Sequence, residues 1–211
     1  ETGTIAFRGG SRGGGDRYAQ LGHGGLNAAG NHQGNLSVLA QGNILFSSLG
    51  VNTAAQRSYL QLGHGGHNAD ATTGHSGSIA VGSRAGTISF ISGPDGSTET
   101  YAQLGHGGFD AAGAHNGDIV VRSGNQIVVT AGTVASPVIG GAGGSYAQIG
   151  HGGGKAAGTT DVAADLSGTI TLSAQVAGDF DDLGDFDGDL LPDTVTFTSG
   201  ATATAIQFTG G

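Results

Sequence analysis

The chain has no cysteine, methionine or tryptophan, only three prolines, and just 11% charged residues. Without cysteine there are no disulfides and no thiolate chemistry. The shortage of proline, with glycines that follow no three-residue period, excludes a collagen-type triple helix. Only seven Lys and Arg occur among 211 residues. No basic patch is available to hold phosphates, so a nucleic-acid partner is not expected. No apolar run approaches the length that spans a bilayer, so no membrane insertion is expected either. No secretory leader pattern is visible.

What the chain does contain is glycine, 45 residues of it. Glycine-rich chains are often disordered, but disorder also requires few β-branched and aromatic residues. Here Val, Ile, Leu and Phe recur in short alternating runs, which predicts a folded β protein. The formal net charge is −9, and seven of the sixteen acids lie between Asp179 and Asp193. The acidity is therefore local.

Internal repetition dominates. The octapeptide Tyr18-Ala-Gln-Leu-Gly-His-Gly-Gly25 returns at Tyr59, Tyr101 and Tyr146, at intervals of 41, 42 and 45 residues. Two further alternating signals follow it. The first pairs Leu36 with Val38, Ile79 with Val81, Ile119 with Val121, and Ile170 with Leu172. The second pairs Ile44 with Phe46, Ile88 with Phe90, and Ile127 with Val129. A two-residue apolar period marks half-buried strands. Gly3-Thr-Ile-Ala-Phe7 also matches Gly86-Thr-Ile-Ser-Phe90, so the chain opens inside a repeat. This predicts a segment of a longer array, or a first coil that a neighbour completes.

The expected fold is all-β: a right-handed parallel β-helix, or β-solenoid, over residues 1–175, with an acidic calcium-type loop and terminal strands over 176–211 forming a C-terminal cap. The spacing of the strand signals, roughly one coil of a three-sided helix, predicts two coils per 41-residue repeat. Equivalent residues would then lie roughly 9.6 Å apart, two strand spacings. A one-coil repeat with long loops is the alternative winding. In the octapeptide the side chains alternate: Ala19, Leu21 and His23 on one side, Tyr18, Gln20 and Gly22 on the other. The apolar side should face the core. That places His23, His64, His106 and His151 at an inner corner, and Tyr18, Tyr59, Tyr101 and Tyr146 in an outer column.

A second histidine follows in three repeats, His32, His75 and His115, at separations of 9, 11 and 9 residues. Those spacings match no zinc signature, and the expectation is structural, hydrogen-bonded histidine rather than a metal site or a pH switch. The tyrosine column is expected to pack between coils; stacking on sugars is the competing reading. No catalytic residues are assigned. Polysaccharide-acting β-helix enzymes cluster carboxylates and a basic residue in a groove, whereas the acids of these repeats are scattered. No H-E-x-x-H pattern occurs, and no serine has a partner at diagnostic spacing.

The run Asp179–Asp193 breaks the repeat. Asp185, Asp187, Asp189 and Asp193 occupy positions 1, 3, 5 and 9 of a loop, where alternate carboxylates converge, and the Leu191 carbonyl at position 7 adds an oxygen. Ca²⁺ takes six to eight such ligands, so Ca²⁺ is the expected cofactor. The run resembles the D-x-D-G-D-x-x-P-D calcium loops of FG-GAP and thrombospondin type-3 repeats. It departs from the EF-hand, with Gly188 at position 4 and no Glu at position 12.

The octapeptide at 146–153, with Gly117-Asp-Ile-Val-Val121, resembles filamentous-haemagglutinin-like and autotransporter-type surface proteins of Gram-negative bacteria. The resemblance covers roughly residues 1–175. It implies a right-handed β-helix, export to the bacterial cell surface or medium, and a scaffold or adhesin role with glycan or host-surface partners. The leading functional expectation is a structural module of a secreted surface fibre. The alternative is a self-assembling, head-to-tail filament subunit; less favoured is a polysaccharide-acting β-helix enzyme.

Overall fold

A computed structural model describes residues 3–9, 17–48, 58–92, 100–131, 146–154, 166–174 and the backbone of 206–209. Its strands follow the repeat. A first strand, β1 (Ile5–Arg8), precedes four coils. The first coil holds β2 (Ala19–Leu21), β3 (His32–Gln33), β4 (Leu36–Ala40) and β5 (Ile44–Ser47). The second holds β6 (Tyr59–Leu62), β7 (His75–Ser76), β8 (Ile79–Ser83) and β9 (Ile88–Ile91). The third holds β10 (Tyr101–Leu104), β11 (His115–Asn116), β12 (Ile119–Ser123) and β13 (Ile127–Thr130). The fourth holds β14 (Tyr146–Ile149), β15 (Leu166–Ser167), β16 (Ile170–Ala174) and β17 (Ile206–Thr209).

Equivalent strands pair in parallel and in register, so the chain is the all-β, right-handed parallel β-solenoid that the repeat predicts. A tyrosine sheet runs β2-β6-β10-β14, and a short corner sheet β3-β7-β11-β15. A valine sheet runs β4-β8-β12-β16, and a phenylalanine sheet β1-β5-β9-β13-β17. The expected two coils per repeat is corrected: each repeat makes one coil. Tyr59 pairs directly with Tyr101, and Tyr101 with Tyr146. The residues that the two-coil count gave to an extra coil form two other things. One is the corner strand. The other is a segment that turns back over the tyrosine sheet at Asn27, Asn68 and Asp110, all at positive φ. Asn and Asp tolerate that left-handed conformation better than other side chains. The segment stacks between coils as the strands do, with Asn27 N–H donating to the His67 carbonyl and Asn68 N–H to that of Phe109.

The apolar core lies where three sheets face one another. Leu60 and Leu62, Ile79 and Val81, and Ile88 and Phe90 are fully buried, as are their third-coil equivalents apart from Val129, which is 3% exposed. Burying such a side chain stabilises by about 1.5–3 kcal/mol. Phe7, Phe46 and Phe90 stack ring on ring, with centroids 4.5 and 4.9 Å apart.

The bend that ends each tyrosine-sheet strand explains why the octapeptide carries glycine where it does. At Gly63 and Gly105 φ is positive, and an added Cβ would overlap the carbonyl oxygen of the equivalent glycine one coil on. Gly30 also has positive φ but opens onto free space. Gly105→Ala should therefore prevent a stable fold, because the obstacle is backbone that cannot move aside. Gly30→Ala should cost only the conformational strain, roughly 1–3 kcal/mol. Urea unfolding monitored by circular dichroism distinguishes the two.

Candidate functional site

The octapeptide strand is buried on both of its faces. Ala102 and Leu104 face the core, while Tyr101 and Gln103 face the turned-back segment, and all four are fully buried. This corrects the outer tyrosine column. Tyr59 and Tyr101 have no exposed surface, Tyr146 is half-buried, and only Tyr18 in the first coil is exposed. The rings stack at 4.7, 4.7 and 4.9 Å with nearly parallel planes, and Phe109 packs against them. A sugar cannot lie on faces already covered by the next ring. Burial holds the phenols of Tyr59, Tyr101 and Tyr146 well above their ordinary pKa.

Beside the rings runs a glutamine ladder. Gln61 Nε2 donates to the His64 carbonyl of its own coil and to the Gly105 and Gly107 carbonyls of the next, at 3.1, 3.2 and 2.8 Å. Gln20 and Gln103 repeat the pattern. Glutamine Oε1 is used as well: Tyr101 O–H donates to Gln61 and Tyr146 O–H to Gln103. The His64 and Gly107 carbonyls also accept the Gly107 and Gly66 N–H groups, so it is the Gly105 carbonyl that depends on the amide. Unpaired, it would cost about 1–3 kcal/mol.

The octapeptide histidines form a third ladder. His23, His64, His106 and His151 stack at 4.9, 4.8 and 5.0 Å. His64 N–H donates to His106 Nδ1 and His106 N–H to His151 Nδ1, both at 3.0 Å. Accepting at Nδ1 leaves the proton on Nε2, which donates across the corner to a glycine carbonyl of the preceding coil. His64 reaches Gly34, His106 reaches Gly77 and His151 reaches Gly117. Both nitrogens are thus committed, and only the neutral ring fits. Burial, the largest influence, holds His64, His106 and His151 below the usual histidine pKa, His106 at about 3.

His32, His75 and His115 make a second imidazole stack in the corner sheet, with spacings of 5.1 and 5.2 Å. His75 and His115 are fully buried with neither ring nitrogen in hydrogen-bond geometry. Burial and neighbouring imidazoles hold His75 at about 4. The two stacks are close enough to influence each other, His64 on His75 and His75 on His106. Consecutive histidines stand one strand spacing apart, not two. Even so, no group of three or more His, Cys, Asp or Glu able to hold a metal ion occurs among the described residues.

The eight tyrosines and histidines singled out in the sequence therefore come together, as columns rather than as a pocket. The calcium ligands expected at Asp185, Asp187, Asp189, Leu191 and Asp193 lie outside the described residues. Sequence reasoning missed the bonding role of Gln20, Gln61, Gln103 and Gln148, although the constancy of glutamine in all four octapeptides was its signal. It also missed the Asn27, Asn68 and Asp110 turn, whose signal is Asn or Asp at one repeat position. A shallow groove lined by Gly30, Asp70, Ala71, Thr72 and Ala112 carries one ionisable side chain, Asp70. No protein-family model, curated protein or solved structure matches the chain.

Two outcomes follow from the ladders. Gln61→Leu should destabilise by about 1–3 kcal/mol in urea unfolding, since the buried Gly105 carbonyl loses its donor while no charge is introduced. Acid should act through the histidines. The folded pKa values of His64, His75, His106, His115 and His151 lie below the unfolded value of about 6.5, so the unfolded chain binds protons that the folded chain refuses. Stability is full above pH 6.5 and falls as pH drops, by up to about 1.4 kcal/mol per pH unit for each histidine. The decline ends once pH passes the folded values, about 4 for His75 and about 3 for His106. Unfolding at pH 7.5, 6, 5 and 4 measures the slope; His106→Gln should reduce it.

Proposed function

We propose that this solenoid is a non-catalytic structural module of a secreted bacterial surface fibre or adhesin, giving rigid length outside the cell. The observation that carries this reading is how the repeated polar residues are used. Tyrosine, glutamine and the octapeptide histidines bond or stack along the axis, coil to coil, instead of converging on a cleft. Catalytic sites break a repeat and gather groups with separated roles. These columns repeat without a break through every coil, as load-sharing elements of a solenoid do. The resemblance of the octapeptide to filamentous-haemagglutinin-like and autotransporter-type proteins supports export and a glycan or host-surface partner.

The carboxylates of Asp185, Asp187, Asp189 and Asp193, with the Leu191 carbonyl, support Ca²⁺ as a stabilising ion. Their alternation is what an oxygen cage for a hard cation requires, and such density of like charge favours a bound cation. Calcium that binds only the folded chain raises its stability by mass action.

Two measurements test the reading. Antibody against the octapeptide should label intact cells that make the protein, or their medium. Signal confined to the cytosolic fraction would overturn the surface role. EGTA should lower the melting temperature of the purified chain, and Asp187→Ala should do the same in the presence of calcium. Unchanged melting in both would leave the acidic run without a metal.

A further inference from the structure

The phenylalanine sheet has five strands where the other three sheets have four among the described residues, and that imbalance has a specific cause. In the first three coils the valine-sheet strand passes to the phenylalanine-sheet strand through residues 41–43, 84–87 and 124–126. In the fourth coil β16 ends at Ala174 and β17 begins at Ile206, far beyond the three or four residues that separate these strands in the other coils. At the other end, β1 stands in the phenylalanine sheet one layer before the first complete coil. It leads into β2 through residues 9–18, much as β5 leads into β6 and β9 into β10.

The sequences Ile5-Ala-Phe-Arg8 and Ile206-Gln-Phe-Thr209 share the Ile-x-Phe pattern. They also pair alike. Ile5 lies opposite Ile44 on β5, and Ile206 opposite Ile127 on β13. Each could occupy the place of the other.

We propose that a second copy of this chain docks on the β14–β16 end of the stack, its β1 displacing β17 from the edge of β13. This deepens the fibre reading and rests on it by naming the partner and the joint. The composite coil would hold β14, β15 and β16 from one copy and β1 from the next. It would place the newcomer's β2, β3 and β4 one layer further on. With β17 in place that layer is closed to the newcomer, because β17 and the incoming β1 claim the same position.

The two ends present matching chemistry. Within the stack, each later coil gives the earlier one a histidine Nδ1 and a histidine Nε2, and the third and fourth coils also give a tyrosine hydroxyl. The end of the fourth coil has the receiving groups in the same pattern: Gln148 Oε1, the His151 amide and the Gly168 carbonyl. The first coil of a second copy supplies Tyr18 and His23. Gln148 Nε2 would meet that copy's Gly22 and Gly24 carbonyls, as Gln61 meets Gly105 and Gly107. Among the described residues the exposed large apolar side chains stand in these two coils: Tyr18 and Leu39 in the first, Leu166 and Ile170 in the fourth. The inner-coil equivalents of Tyr18 and Ile170, namely Tyr59, Tyr101, Ile79 and Ile119, have no exposed surface. Unpaired strand edges are templates for such addition, and a head-to-tail contact that does not close makes a filament.

The chain has no cysteine, so introduced thiols report the joint without background. Ala6 on β1 and Val128 on β13 are separated by β5 and β9 within one copy, and the exchange brings them opposite each other across two copies. Parallel neighbours at strand spacing fall within disulfide reach. An Ala6→Cys/Val128→Cys variant of the full chain should give an oxidised ladder of dimers and higher species on non-reducing gels. A Val128→Cys/Gln207→Cys variant, which ties β17 to β13, should remain monomeric by light scattering until reduced. Phe208→Asp, which breaks the Ile-x-Phe pattern that β17 shares with β1, should raise the oligomer fraction at a given concentration. Circular dichroism establishes that each variant keeps its β fold. A wild-type chain that stays monomeric at all concentrations overturns the joint, and so does a tied variant that oligomerises as readily as wild type. Neither result touches the surface-labelling test of the fibre reading.

Discussion

In-register stacking of identical bends is the constraint on which the rest of this molecule depends. At each Gly-His-Gly turn the carbonyl of the first glycine is met by a glutamine of the preceding coil, while the His and second Gly carbonyls accept backbone N–H groups of neighbouring coils. The arrangement works only if the next coil presents the same residues at the same height. That is why the octapeptide hardly varies within the chain while the segments between octapeptides differ in length. A shift of one residue would turn every tyrosine and glutamine to the wrong face and leave the bend unpaired.

The interior is accordingly of two kinds. Between the sheets lies an ordinary apolar core of Ile, Val, Leu and Phe. Under the turned-back segment lies a polar core of Tyr, Gln and His with almost no access to water. Buried polar groups are costly unless paired, so the second core contributes specificity of register more than net stability. The His75–His115 stack is the largest departure, with both nitrogens of both rings outside hydrogen-bond geometry. It remains neutral because charging it would bring like charges together out of water.

Much of this was readable from residues alone. The octapeptides, the Ile-x-Val and Ile-x-Phe pairs and the glycine punctuation identified three of the four sheets. The winding was misread because residues 66–74 and 108–114 do not alternate apolar with polar. They were counted as coil when they in fact form a cover. The same error put Tyr59 and Tyr101 outside. A tyrosine followed by alternating residues looks half-exposed, and nothing in a two-residue period shows that a later glycine-rich stretch will close over it. The corner strand was invisible for a plainer reason: His75-Ser76 is too short to carry a period.

Four narrow sheets sharing one axis also determine how the molecule meets mechanical load. Tension between the two ends of the stack pulls along the hydrogen bonds that join coil to coil, so these open a layer at a time. Each layer that opens releases a full repeat of chain, about 140 Å when drawn out at roughly 3.4 Å per residue. Such a rod would stretch in discrete steps and dissipate work at each one, a shock absorber whose stroke is set by the repeat length.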